Sequence, residues 1–437
     1  MLTTLKNAFK IKEVRHKILF TLAMLVVIRL GSQLPTPGVN GEEFAKWFTS
    51  KTGGAFSFFD ALTGGSFESV AILALGINPY ITSSIIMQLL TIAIPKLEDM
   101  QREGEDGRKK IASITRYVTV GLALIQATAM SIGFSNMGYM YNKGVFSVIV
   151  AIAALTAGSA FLMWIGEQIT EKGIGNGISI VLVINIISRL PEDFMNLYEM
   201  FIKGKPVMKG ILAAAIILAI IVGMVVLVVL LNSATRKIPV QYAKKMQGRK
   251  MVGGQTSSIP LRVNTSGVIP VIFAQSIMQF PLLICSFVGY QGTGFWGEVL
   301  KGMNSENWCR PEMLKYSIGL LFYIVLIVFF AYFYTSITFN PLMVADNMKK
   351  QGGFIPGIRP GKPTSDYLNK VLNYIVFIGA IGLTLISVIP FFFNGVFGAK
   401  VSFGGTSLII IVSVVLETMK QIESQMVVRN YKGFLQD

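Results

Sequence analysis

The 437-residue chain has one histidine, His16, and two cysteines, Cys285 and Cys309. A zinc or iron–sulfur centre needs several such ligands at set spacings, and a disulfide framework needs a repeated set, so neither is expected. Charged residues make up 14% of the chain, against about 25% in a soluble domain. No carboxylates pair inside the apolar stretches, which leaves acid–base chemistry without its groups. Nucleotide signatures also fail. Gly357-Ile358-Arg359-Pro360-Gly361-Lys362-Pro363-Thr364 has glycines four apart rather than five, and Pro363 stands where Ser or Thr would hold magnesium. Gly173-Ile174-Gly175-Asn176-Gly177 lies between two apolar stretches with no strand before it and reads as a turn.

What the chain does have is hydrophobic residues, at 52%. Ten apolar stretches fall at roughly 18–34, 70–94, 117–132, 145–164, 177–190, 210–231, 268–288, 316–339, 371–393 and 406–417 onward. Stretches of this length predict a polytopic, all-α integral membrane protein of ten transmembrane helices. The fifth and tenth look short for a bilayer, so tilt or polar extensions are expected. The basic amino terminus precedes no small-residue cleavage site, so 18–34 reads as a retained span. Lys and Arg concentrate in 102–116, 236–262 and 349–370. That bias predicts both termini in the cytoplasm. Much of the net charge of +16 is therefore a topology signal.

The stretch 70–94 carries Gly76-Ile77-Asn78-Pro79-Tyr80-Ile81, and the Asn-Pro pair predicts a broken helix there. In lipid such a break needs cover from protein or a water-filled cavity. Seven residues past Pro79 comes Ile86-Met87-Gln88, and seven past Pro270 comes Ile277-Met278-Gln279. Ile81 and Ile272 each stand two residues past the proline. A fainter match aligns 177–182 with 405–410. These echoes pair the second stretch with the seventh and the fifth with the tenth. They predict two inverted five-helix halves, 1–190 and 210–437, joined by an external loop over 191–209, with a functional path between them. The segment 56–69 is too apolar for a solvated loop and too short to span. It reads either as a re-entrant, lumen-filling piece with a hinge at Gly64-Gly65 or as an interfacial segment on the outer surface.

Few ionisable residues fall inside the stretches; Arg29 and Glu417 stand out. Arg29 either snorkels or braces the halves. An ion-coupled transporter usually needs buried carboxylates, whereas a pore closed by apolar side chains does not. Thr82, Ser83, Ser84 and Gln88 on one repeat helix, and Gln275, Ser276 and Gln279 on the other, suit a weakly bonded seam. The long basic loops, about 232–265 and 340–370, suit a cytoplasmic partner, with anionic lipid or structured RNA as alternatives. A secondary transporter of a small solute is the competing function, and a lipid-modifying enzyme a distant third.

Four motifs carry a family resemblance: 74–81, 166–179, 356–361 and Phe403-Gly404-Gly405-Thr406-Ser407. In order and over nearly the whole length, the chain resembles the SecY family of bacterial protein-translocase channel subunits. The resemblance implies a clamshell around a central pore that passes unfolded secretory chains outward and releases apolar segments sideways into lipid. It implies no enzyme activity and no cofactor. It implies an apolar ring of Ile77, Ile81, Leu182, Ile272 and Ile410, with one Leu where isoleucine is commoner. It implies a plug that includes Asp60, Leu62, Gly64, Gly65 and Phe67. It implies a lateral gate at Thr82, Gln88, Gln126, Gln275 and Phe280, with Thr82 and Phe280 facing across it. Arg359 would serve the SecA motor, and Arg249 and Lys250 the ribosome or motor. SecE and SecG small subunits, secretory and membrane preproteins and membrane lipids complete the implied partners.

Overall fold

The structure, a computed structural model, describes residues 8–51, 57–142, 144–203, 206–242, 245–247, 250–252, 256–288, 294–397 and 405–433. Each of the ten apolar stretches contains one long helix. They are α1 (Lys12–Gly31), α4 (Asn78–Ala93), α6 (Glu105–Met137), α7 (Val145–Lys172), α8 (Gly177–Phe201), α9 (Val207–Ser233), α10 (Ile269–Val288), α12 (Ile318–Thr338), α14 (Lys362–Phe397) and α15 (Gly405–Gly433). Shorter helices fill the connections: α2 (Gly41–Lys51), α3 (Ser57–Thr63), α5 (Pro95–Arg102), α11 (Phe295–Met303) and α13 (Pro341–Lys350). Among the described residues, five helical segments are long and apolar enough by themselves to cross a membrane: 105–137, 145–172, 208–233, 311–350 and 362–396. The pair α4 and α5, bent by 106°, would make a sixth.

Three expectations need correction. Asn78-Pro79 does not break a helix; it opens one, with Pro79 in the first turn of α4 and the apolar residues 70–77 in irregular turns before it. Pro270 likewise sits in the first turn of α10. The first turn has no intrahelical acceptor for its N–H groups, so proline loses nothing there. Second, most of 191–209 is not a loop. α8 continues through Pro191 to Phe201, because Leu190, Leu197 and Phe201 pack against Met224 and its neighbours on α9. The fifth stretch is therefore a 25-residue helix with a polar outer end.

Third, the all-α reading omits a small sheet. β1 (Thr235–Tyr242) pairs antiparallel with β4 (Thr256–Arg262), placing Ile238 opposite Ile259, while β2 (Lys245–Gln247) and β3 (Lys250–Val252) pair with each other as a separate two-stranded sheet. β5 (Gly353–Phe354) adds to the other side of β1 at Gln241 and Tyr242. Pro239 is tolerated because β5 does not reach that far along β1. Ile238, Val240 and Leu261 alternate with exposed residues, as a half-buried strand requires, and pack on Met348, Ile355, Leu368 and Ile375. The two basic loops are thus one folded unit seated on α13 and α14.

The helices form two sets with the same neighbour relations. In the first, α4 packs on α6, α6 on α7, α7 on α8, and α1 on α7 and α8. In the second, α10 packs on α12, α12 on α14, α14 on α15, and α9 on α14 and α15. Between the sets, α8 packs on α15 and α9, and α6 on α10. On the connection between α10 and α12, Glu298 accepts from Lys315 Nζ at 2.7 Å and from Tyr316 Oη at 3.0 Å, which holds its carboxyl down at about 2.

Close approach at the α7–α8 turn depends on glycine. Asn176 caps α8 by accepting from Ile178 and Ser179, and Gly175 takes a φ of +84°. A Cβ at Gly177 would lie 1.9 Å from the Gly166 carbonyl oxygen. Gly177→Ala is therefore expected to destabilise the protein by about 1–3 kcal/mol, as overpacking a tight contact does. A lowered midpoint in detergent-solubilised thermal unfolding would register it; an unchanged midpoint would mean the turn relaxes freely.

Candidate functional site

The five residues assigned to the ring come from four helices and one turn. Ile77 is the residue before α4, Ile81 lies one helical turn on, and Leu182, Ile272 and Ile410 come from α8, α10 and α15. All five belong to one apolar cluster, with Ile77, Leu182, Ile272 and Ile410 buried and Ile81 half-buried. The cluster draws mostly on the first helix set, Leu62 of α3 included, and takes Ile272, Ile410 and Val414 from the second. Burial at this point therefore brings the sets together around branched aliphatic side chains. No polar side chain is needed to close it.

The segment 57–69 folds onto the same place. α3 ends in Gly64 and Gly65, at φ +68° and +86°. These glycines are a packed turn rather than a free hinge. A Cβ at Gly64 would lie 2.8 Å from Arg29 Nη1 and 3.0 Å from Asn185 Cα. Thr63 sits over Gly76, whose own Cβ would meet it at 2.9 Å. Phe67 packs into a cluster of aromatic rings, 5.9 Å from Phe44 and 5.7 Å from Phe48. It anchors the segment to α2 and lies apart from the apolar cluster around Ile77.

Polar residues of α1 and α8 hold the segment down. Arg29 Nη1 donates to the Gly64 carbonyl at 3.2 Å, so this intrahelical charge binds neighbouring backbone and does not reach for the headgroups. Asn185 Nδ2 donates to the Leu62 carbonyl at 3.0 Å. Arg189 pairs with Asp60, with Glu68 at 2.8 Å and with Glu192. Asp60 is wholly buried and also accepts from the Glu68 N–H at 2.9 Å. Sequence reasoning passed over Arg189, Asn185 and Glu68. The available signal was Asp60 itself, since a carboxylate in so apolar a segment calls for a cation.

Leu182, Asn185 and Arg189 fall on one face of α8. Arg189 stands seven residues, about 10 Å, beyond Leu182 along the axis. One helix therefore supplies an apolar contact to the cluster and polar contacts to the segment above it.

The gate residues are dispersed. Thr82 and Gln88 are exposed on α4, and Gln126 is half-buried on α6. Gln275 is buried on α10, and both Gln126 and Gln275 leave a side-chain oxygen without a partner. Such atoms weaken the interface they sit in. Among the hydrogen bonds of this polar set, Ser83 Oγ donates across helices to the Thr115 carbonyl at 2.8 Å. Phe280 is described by its backbone alone, as is Lys250, and Arg249 lies outside the described residues. Arg359 is exposed in the turn that follows β5, on the same folded unit as β1 and β4. Glu417 is exposed on α15.

The family model for SecY matches residues 71–419. The chain is 44% identical over 451 residues to the protein translocase subunit SecY of Streptomyces galbus, and 42% identical over 449 residues to that of Bacillus subtilis. In both cases each chain is covered completely. A solved protein-conducting channel superposes with a TM-score of 0.64 at 18% identity, over 94% of this chain and 93% of that one. Sec61 in a canine ribosome–channel complex gives 0.61 at 17% identity, over 94% and 93%. With a full-length match of this identity, placed on the fold just described, the chain belongs to the SecY family.

Proposed function

We propose that the chain is the channel subunit of a protein translocase, passing unfolded secretory polypeptides across the membrane and releasing apolar segments into lipid. The family is one of protein-conducting channels and not of enzymes, and the small-solute transporter alternative falls away with it. The observation that carries the reading is the apolar cluster. Ile77, Ile81, Leu182, Ile272 and Ile410 reach it from both helix sets, with segment 57–69 folded over it. In this reading the ten helices all span, the two sets are inverted halves of a clamshell, and the five residues form a ring that seals by excluding water. The polypeptide would pass where the sets meet. Segment 57–69 is the plug; a related SecY is described as having a plug domain that stabilises the closed state and maintains a membrane seal.

The lateral exit would open along the seam of α4 and α6 with α10 and α12. A segment of Leu, Ile, Val or Phe gains about 0.3–0.6 kcal/mol per residue at the helix centre on entering lipid. The sheet unit would face the cytoplasm, with both termini on the same side of the cell membrane. Sec61 and Ssh1 structures in complex with ribosomes support a ribosome as a partner, which in this reading would dock on that face. SecA would dock there through Arg359, with Arg249 and Lys250 contributing to either partner. SecE and SecG would pack on the exposed apolar flanks.

The decisive experiment is site-specific photo-cross-linking with a secretory chain jammed halfway across. Adducts are expected at Ile81, Leu182, Ile272 and Ile410, and none at Leu218, which is exposed on the outside of α9. A jammed chain that gives no adduct at any of the four would reduce the cluster to ordinary core packing. Replacing Ile81 and Ile272 together by glycine should make resting membranes leak small ions, read as conductance in vesicles; a wild-type conductance would count against the ring. Arg359→Glu should cut motor-driven export by about tenfold or more, the factor for 1.4 kcal/mol of lost binding. The protein should remain inserted and protease-resistant to the same degree. Normal export would remove Arg359 from the motor contact.

A further inference from the structure

We propose that Arg189 is an electrostatic latch on the plug: by binding Asp60 and Glu68 together it fastens residues 60–68 to α8, and the channel opens only when those pairs part. The proposal rests on the plug reading of segment 57–69. Its grounds are geometric. The Glu68 N–H already closes the loop onto the Asp60 carboxylate at 2.9 Å, and Thr63 Oγ1 donates within the loop to the Asp60 carbonyl at 3.0 Å. Arg189 then grips both carboxylates of that closed loop from outside it. The other polar contacts that hold the segment are single hydrogen bonds to backbone carbonyls, the one from Arg29 to Gly64 among them. Asn185 reaches the Leu62 carbonyl, and Ser188 reaches the Gly64 carbonyl at 3.5 Å.

An ion pair suits a part that must be held and then released. A buried carboxylate is costly without its partner, so losing Arg189 penalises the closed arrangement itself and not only one contact in it. The pair also lies beside an exit to water. Arg189 is 17% exposed, Glu68 21% and Glu192 58%. On release, Arg189 keeps Glu192 as a partner one turn further out, and Asp60 can rehydrate as α3 lifts. Phe67, held among Phe44 and Phe48, stays behind as the anchor about which 57–66 would swing. Removing the latch therefore favours the open state by population shift, with the ring untouched.

The test measures resting ion leak in membrane vesicles carrying the protein in six forms: wild type, Arg189→Gln, Glu68→Gln, a deletion of 60–66, and each point variant combined with that deletion. Inserted protein is quantified in parallel. Arg189→Gln is expected to raise the leak by about tenfold or more, the factor for 1.4 kcal/mol, and Glu68→Gln by less. Neither should add to the leak of the deletion, because both act through the segment it removes. If Arg189→Gln fails to accumulate, Glu68→Gln carries the comparison, since Glu68 lies at the surface of the segment. A deletion that leaks while both point variants stay sealed would overturn the latch and leave the plug standing. Point variants that leak further in the deleted background would also overturn it, by placing Arg189's effect elsewhere. A deletion that does not leak would remove the plug, and the latch with it.

Discussion

Non-helical backbone enclosed by protein must find its hydrogen-bond partners there, and residues 64–77 obey that constraint at nearly every turn. The Ile72 N–H donates to the Leu34 carbonyl at 2.8 Å, and the Thr36 N–H donates to the Val70 carbonyl at 2.9 Å. The Gly76 carbonyl accepts from Ser159 Oγ at 3.2 Å, and the Gly64 carbonyl from Arg29. The segment is therefore committed to α1, α7 and α8 before any apolar contact is considered. Gly158 lets it lie flat on α7, since a Cβ there would meet the Ile72 oxygen at 2.1 Å. Once this irregular piece is fixed, α4 must start at Asn78, and Ile77 and Ile81 are delivered to the cluster.

The apolar cluster and the polar clamp then have separate tasks on one helix face. Around Leu182 the contacts are aliphatic and non-directional, so they can be parted and remade without a defined partner. Around Arg189 they are ionic and specific, and they fix one arrangement of the segment above. Leu for isoleucine at 182 matters little to the first task, because volume is conserved and the seal needs only branched apolar surface. The second task tolerates no such exchange, since a lone Asp60 would be stranded.

The readable parts of the chain were those whose signal is local or periodic. Each apolar run contains a helix, though among the described residues only five helical segments are long and apolar enough by themselves to cross a membrane, and the Pro79/Pro270 echo pointed to two elements that do enter the same cluster. The proline itself was misread because a helix start and a helix break use the same residue, and only the fate of 70–77 separates them. The sheet was missed because its strands are short, basic and interrupted by Pro239 and Pro260; their alternation matters only once α13 and α14 supply a face to cover. Arg189 was missed for a different reason. It stood at the end of an apolar run, where a basic residue is ordinary, and its partner lies 129 residues away. Nothing in the linear pattern joins them.

The pairing of β1 with β5 has a consequence for how force reaches the centre. It fastens the 235–262 hairpin to the turn that bears Arg359, and their shared core includes Leu368 and Ile375 of α14. α14 packs on α15, and α15 carries Ile410. A partner pressing on the sheet would therefore push on the helix set that holds Ile272 and Ile410, while segment 57–69 is fastened to the other set through α1 and α8. In the proposed channel, load applied at the sheet would move one side of the apolar cluster relative to the side that carries segment 57–69. A channel whose cover and landing face belonged to the same set would instead move both together, and pressing on it would open nothing.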